Sequence, residues 1–277
     1  MEVARTRADV RSVLRSLPRP IGLVPTMGAL HEGHRSLIRR SLEESATTVV
    51  WIFVNPRQFP VAADLASYPR DEAADLAVCE SEGVDVVFAP PVEEVYPPGF
   101  DTTVRVGAVA ERLEGTARPG HFDGVTTVVA TFFGVVGPDR AYFGEKDAQQ
   151  LRVVRRMVVD LAMPIEIVAC PIVREPDGLA SSSRNVLLTV DQRAAAPVLY
   201  RALSAALEAW RGGERSADVL RDVVRGILAS EPLAEVEYVS CADDETLTEL
   251  STVDGPALLS LAVRFGSVRL IDNVRLA

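Results

Sequence analysis

The sequence predicts an α/β protein: a parallel sheet fills its first two thirds and a smaller α+β domain follows. Three observations carry this expectation. Short apolar runs suited to strands buried on both faces alternate with segments of helical period through the first 170 or so residues. From about Pro176 a Gly-Ser loop gives way to long Ala- and Arg-rich helical segments, and three apolar runs close the chain. A chain of 277 residues is long enough for two cores, so domains are expected at 1–174 and 175–277.

Taken in order, the expected strands of the first domain are Ile21 to Val24, Val49 to Val54, Val84 to Phe88, Ala141 to Phe143 and Ile165 to Val168. The second is rich in β-branched and aromatic residues, as a central strand covered on both faces should be. Helices are expected over Ser36 to Ser45, Asp71 to Glu82, Val125 to Val136 and Asp147 to Asp160, the last stopped by Pro164. In 71–82 apolar or small residues recur at Ala73, Leu76, Ala77 and Val78 with acids between them, which reads as a solvated amphipathic helix and no more. Pro90, Pro91, Pro97, Pro98 and Gly99 mark a long loop. In the second domain helical segments are expected around 191–211 and 216–230, then strands Val236 to Val239, Ala257 to Val263 and Val268 to Ile271.

Composition narrows the function. A net charge of −10 without a basic patch disfavours a nucleic-acid partner. The longest apolar stretch, Val125 to Val136, is twelve residues, short of the ~20 that span a bilayer, so no membrane role is expected. Three scattered cysteines, Cys79, Cys170 and Cys241, in a chain that opens without a signal-peptide pattern predict a reducing cytoplasm.

Residues 25–34 read P-T-M-G-A-L-H-E-G-H directly after the first strand. A strand handing over to a helix presents backbone N–H groups to phosphate, and His31 and His34 lie on one helical face. Taken alone, H-x-G-H also fits a surface histidine pair or half of a zinc site. The chain has one further histidine, His121, and no C-x-x-C pair, which weakens the zinc reading.

Polar residues emerge after three more strands or loops. Asn55-Pro56-Arg57-Gln58-Phe59 follows the second strand, where open α/β sheets bind ligands, so Gln58 is either a binder of hydroxyl or carboxylate or a loop amide bonded to backbone. In Gly144-Glu145-Lys146-Asp147 the glycine admits close approach and Lys146 can meet phosphate; alternatively Lys146 pairs with Glu145 and Asp147 is an N-cap. Gln150 follows one turn in. The loop Arg174 to Asn185 combines glycine, Ser181, Ser182, Ser183 and Arg184, a set suited to gripping polyphosphate, although an interdomain linker would also explain its Gly and Ser.

Together these motifs resemble the pantothenate synthetase (pantoate-beta-alanine ligase) family of the H-x-G-H nucleotidyltransferase superfamily. The resemblance rests on P-T-M-G-A-L-H-E-G-H at 25–34, F-V-N-P-x-Q-F at 53–59, Y-P-R at 68–70, F-G-E-K-D at 143–147 and R-E-x-D-G-L-A-x-S-S-R-N at 174–185, with weaker similarity at Arg269 to Asn273. It implies a Rossmann-like N-terminal domain, a C-terminal lid domain and a homodimer. It also implies ATP-dependent joining of pantoate and β-alanine through pantoyl adenylate, with Mg2+ accompanying ATP and no protein metal ligand named. By the same resemblance His34 is the proton donor, with His31 and Lys146 assisting. Met27, Gly28, Ala29, Leu30, His31, Glu32, Gly33, His34, Gly144, Glu145, Lys146 and Asp147 line ATP. Val173 meets adenine through its backbone, Ser181, Ser182, Ser183 and Arg184 bind phosphates, and Gln58 and Gln150 bind pantoate. Related adenylating ligases for another small acid, and a non-catalytic nucleotide-binding paralogue, are the alternatives.

Several positions depart from the usual pattern: Ala148 replaces an aromatic, Ser181 replaces methionine, Arg57 sits within N-P-x-Q-F, and Val239 to Asp244 lacks the more usual E-L-R-D form. A cation beside Gln58 either strengthens carboxylate binding, alters which acid fits, or only points to solvent.

Overall fold

The expected apolar runs, with one short run added at the N-terminus, form a six-stranded parallel sheet. The computed structural model describes residues 1–59 and 62–277, which fall into two compact units: Met1–Glu145 with Gln149–Pro171, and Lys146–Ala148 with Ile172–Ala277. In the first, the strands are β1 (Glu2–Ala4), β2 (Ile21–Thr26), β3 (Thr47–Ile52), β4 (Val86–Phe88), β5 (Arg140–Gly144) and β6 (Glu166–Cys170). Their order is β1-β4-β3-β2-β5-β6.

Alternation along each strand divides the core between the two faces. Val49, Trp51, Val86 and Phe88 pack toward α1 (Arg7–Leu14), α4 (His121–Val136) and α5 (Ala148–Asp160), where Val10, Phe132 and Leu151 meet them. Val24, Val50, Val87 and Tyr142 turn to the other face, toward α2 (Glu32–Glu44) and α3 (Glu72–Glu82), against Ile38 and Cys79. Each such fully buried aliphatic contributes roughly 1.5–3 kcal/mol relative to an exposed one.

β1 and α1 escaped the periodicity because the strand has three residues and the helix carries arginines on its outer face. A signal was present all the same: Thr6 and Asp9 form a capping box, with the Thr6 hydroxyl accepting from Asp9 N at 3.1 Å. Other boundaries moved for local reasons. α2 begins at Glu32 because His31 caps it. The segment expected as one helix over 147–160 opens with a 3-10 turn, Glu145–Asp147, so Asp147 lies inside that turn. The loop at 90–99 contains a short helix, Val92–Val95.

The second unit carries an antiparallel sheet of β7 (Glu235–Asp243), β8 (Ala257–Phe265) and β9 (Val268–Leu276), with β8 in the middle. The helical segment expected over 191–211 breaks into Val190–Ala195 and α6 (Val198–Arg211) around Pro197, which has no N–H to give the helix. α6 and α7 (Ala217–Leu228) lay Leu199, Leu203, Leu220 and Val224 on Leu259, Leu261 and Val263. β9 runs five residues past the expected end at Ile271, because Asp272 and Asn273 are buried and paired inside the unit. Among the described residues no helix is long and apolar enough to cross a membrane.

Candidate active site

β2 is flanked by β3 on one side and β5 on the other, and the chain builds outward in both directions from there. The carboxyl ends of β2 and β5 therefore frame the topological switch point, where open α/β sheets leave a crevice for ligands. Met27 to His34 leaves from the first end, and Gly144 and Glu145 leave from the second.

The β2 loop is held in an unusual path. Gly28 and Ala29 both have positive φ, +79° and +50°, and a Cβ on Gly28 would meet an Asp75 carboxylate oxygen at 2.7 Å. Asp75, on α3, accepts from Ala29 N at 2.9 Å and Leu30 N at 2.7 Å. Burial pushes its carboxyl above the ordinary range, with the two backbone N–H bonds working against the shift. Helix 71–82 is thus more than a solvated face: Asp75 is 4% exposed and shapes the signature loop. A lone acid among acids gave no sign of this, because its partners are backbone groups 45 and 46 residues away.

His31 and His34 form a reciprocal cap on α2. His31 Nδ1 accepts from Gly33 N at 3.1 Å and His34 Nδ1 accepts from His31 N at 3.4 Å, with ring centroids 4.1 Å apart. Acceptor roles at both Nδ1 atoms place the proton of each neutral ring on Nε2. The amides expected to face phosphate are partly committed, since Gly33 N serves His31 and His34 N bonds His31 O at 2.8 Å. The imidazoles, more than the helix terminus, are the donors this segment offers.

Gln58 is 8% exposed and its amide is oriented from both ends. Its Oε1 accepts from Asn55 Nδ2 at 3.0 Å, while its Nε2 lies 2.9 Å from Met27 Sδ. A thioether is a weak acceptor, so a ligand hydroxyl or carboxylate oxygen is the stronger partner for that Nε2. Asn55 is fixed in turn by Tyr96 Oη, which donates to its Oδ1 at 2.7 Å, and by Gly124 O at 3.0 Å. Gly124 permits this approach, for a Cβ there would lie 2.3 Å from Arg57 O. His121 Nδ1 stands 2.8 Å from Gln58 O and secures the same turn. On α5 the two glutamines separate. Gln149 is buried and bonds Glu114 N, Val109 O and Arg112 O, whereas Gln150 is half-exposed and makes no side-chain hydrogen bond among the described residues.

In the second unit Lys146 is largely buried, and its ion pair with Asp147 is a long one of 3.9 Å. The 174–185 loop is a built turn. Arg174 and Ala180 form a β-bridge, and Gly178 takes φ +92° with Tyr200 closely packed on it. Val173 O accepts from Ser181 N at 2.9 Å, and Ser181 Oγ donates to Glu175 at 2.9 Å, which turns that hydroxyl into the loop. Ser182 Oγ caps the 3-10 turn Ser183–Leu187 by accepting from Arg184 N. The Arg184 guanidinium is half-buried and has no hydrogen bond or ion pair among the described residues. No group of three His, Cys, Asp or Glu suited to a metal ion occurs among the described residues.

A family model described as pantoate-beta-alanine ligase matches residues 2–275. The chain belongs to the pantoate-beta-alanine ligase family. A pantothenate synthetase of Roseiflexus sp. (strain RS-1) is 57% identical over 273 residues, covering 99% of this chain and 98% of the relative. Among solved structures, pantothenate synthetase from Thermus thermophilus is similar at a TM-score of 0.94 and 48% identity, covering 99% of both chains. The Francisella tularensis pantoate-beta-alanine ligase, solved in complex with β-γ ATP and β-alanine, is similar at a TM-score of 0.83 and 33% identity, covering 99% of this chain and 97% of that one.

Within this family member, Arg57 does not direct its charge at Gln58. Its guanidinium lies over the rings of Tyr96 and Phe100, 4.6 and 4.7 Å from their centroids. Arg57→Met is therefore expected to leave the KM for pantoate within about twofold and to cost at most about 1 kcal/mol of stability from the lost cation–π contacts. Steady-state kinetics with pantoate as the varied substrate check this, and a large rise in KM would place Arg57 on the substrate. Ala148 is 5% exposed, enclosed at the start of α5.

Proposed function

We propose that this chain joins pantoate to β-alanine at the expense of ATP, releasing pyrophosphate and AMP. The carrying observation is the pair of imidazoles that cap α2 at the carboxyl end of β2 in a chain of this family.

In the first step a pantoate carboxylate oxygen attacks the α-phosphorus and the bond to the bridging oxygen of pyrophosphate breaks. Negative charge grows on the α-phosphoryl oxygens and on the leaving group, so positioned donors matter more than a nucleophile on the protein. His34 supplies the proton-donating imidazole, with His31, Lys146 and Arg184 as further donors. Met27 to His34 and Gly144 to Asp147 line the nucleotide, Val173 meets adenine, and Ser181, Ser182 and Ser183 accompany Arg184 at phosphate. The Ser181 hydroxyl and N–H are already engaged, by Glu175 and by Val173 O.

Gln58 and Gln150 bind pantoate, the first through an Nε2 whose side-chain partner among the described residues is a thioether. In the second step the β-alanine amine attacks the acyl carbon of the mixed anhydride and AMP departs. Holding the amine against the anhydride is the main task, since well-oriented pairs reach effective molarities of ~10⁵ M and above.

Mg2+ accompanies ATP and would be held by phosphate oxygens and water. The assembly is a homodimer. Three free, buried cysteines suit a reducing cytoplasm.

The test is pyrophosphate release from ATP and Mg2+ with pantoate, with and without β-alanine, scored with the acid–amine product by mass. Pantothenate is the expected product. Turnover only with another acid would keep adenylation and move the specificity.

A further inference from the structure

The R-L-I-D-N run at 269–273 lies on β9, and the reaction as proposed gives it no task. Arg269 pairs with Glu237 on β7, reaching across the central strand β8. Asp272 and Asn273 are different, because adjacent residues of one strand are both buried, 2% and 4% exposed. Buried polar groups cost stability unless they are bonded, and these two are bonded to the segments proposed to meet ATP.

Asp272 takes both arms of Arg174, at 2.7 and 2.9 Å. The same guanidinium donates to Gly178 O at 3.0 Å and Asn273 O at 3.3 Å, and stacks on Tyr200 at 3.8 Å. Asp272 Oδ1 also accepts from Asn273 N at 2.8 Å, which fixes the asparagine backbone. The Asn273 side chain then donates from Nδ2 to Lys146 O at 3.1 Å, across 127 residues of sequence. One strand thus fixes the backbone from which the lysine extends and the glycine turn of the serine loop. A point charge on a flexible stem acts on phosphate only as well as its origin is held.

We propose that Asn273 is a positioning residue for Lys146, held in turn by Asp272 and Arg174. The inference rests on the ATP role of Lys146 proposed above. In the full-length protein Asn273→Ala should raise the Kd for ATP, measured by calorimetry with Mg2+, about tenfold. The KM values for pantoate and β-alanine should stay within twofold. The isosteric Asn273→Asp, which sets an acceptor against the Lys146 carbonyl, should be at least as weak in binding ATP.

A double-mutant cycle separates positioning from plain stability. If Asn273 acts through the lysine, Asn273→Ala adds little to the ATP Kd in a Lys146→Ala background. Full additivity, an ATP Kd within twofold of wild type, or an equal loss for all three substrates with a fallen thermal midpoint would each overturn the inference. Should Asn273→Ala not fold, Asn273→Asp carries the same cycle. Wild-type protein that binds ATP without forming pantothenate would refute the function while the ATP titration still decides the role of Asn273.

Discussion

Replacing His34 with alanine is expected to lower kcat for pantothenate formation by roughly 10²–10³, the typical loss when one preorganised donor to a developing charge is removed. The imidazole meets the requirements for that role. Its Nδ1 is tied to His31 N, so the proton sits on Nε2 and the ring is oriented before substrate arrives. The same hydrogen bond is half of the α2 cap, and losing it costs about 1 kcal/mol of stability, too little to unfold a domain of this size. Kinetics and stability are thereby separable. Pyrophosphate release in a single turnover should fall while the thermal midpoint moves by only a few degrees. A kcat within threefold of wild type would remove His34 from the chemistry and leave it as a cap.

The largest stability effect is expected at Arg174. Its fork neutralises Asp272 and bonds two carbonyls, so Arg174→Met strands a carboxylate that is 2% exposed. Breaking a buried pair from one side costs about 3–5 kcal/mol, a large share of a typical folding free energy. Removing both charges, as in Arg174→Met with Asp272→Leu, should recover part of that loss, although Gly178 O and Asn273 O remain without their donor.

The pH dependence of the single variant has a definite sign. Burial pushes the Asp272 carboxyl upward even with Arg174 beside it. Without the arginine the native state holds a proton that the unfolded state releases near the ordinary carboxylate pKa of ~4. The native state then binds more protons across that window, so stability falls as pH rises through it and the deficit shrinks as pH drops. Denaturant midpoints of wild type and variant at pH 5 and pH 7.5 check this. A deficit that is constant with pH, or below 1 kcal/mol, would show that Asp272 is solvated or otherwise paired.

How far the sequence carried these conclusions differs from residue to residue. The sheet was legible because buried parallel strands carry apolar runs, as Val49 to Ile52 does in β3, and their side chains need only partners of the right kind. The H-x-G-H pair, Gln58, Lys146 and Arg184 stood out as candidates because each follows such a strand or lies in a Gly-Ser loop. β1 and α1 were not, since three residues and an arginine-rich helix leave almost no period to read.

Asp75, the Tyr96–Asn55–Gln58 chain and the Arg174–Asp272–Asn273–Lys146 chain belong to tertiary structure alone. So does the turn of Arg57 onto Tyr96 and Phe100. The division has a physical cause. Burial preference and backbone propensity are properties of a residue and its near neighbours, so a linear pattern records them. A hydrogen bond between Asp75 and Leu30 N, or between Asn273 and Lys146 O, depends on two remote segments meeting at about 3 Å, and no periodicity encodes that meeting.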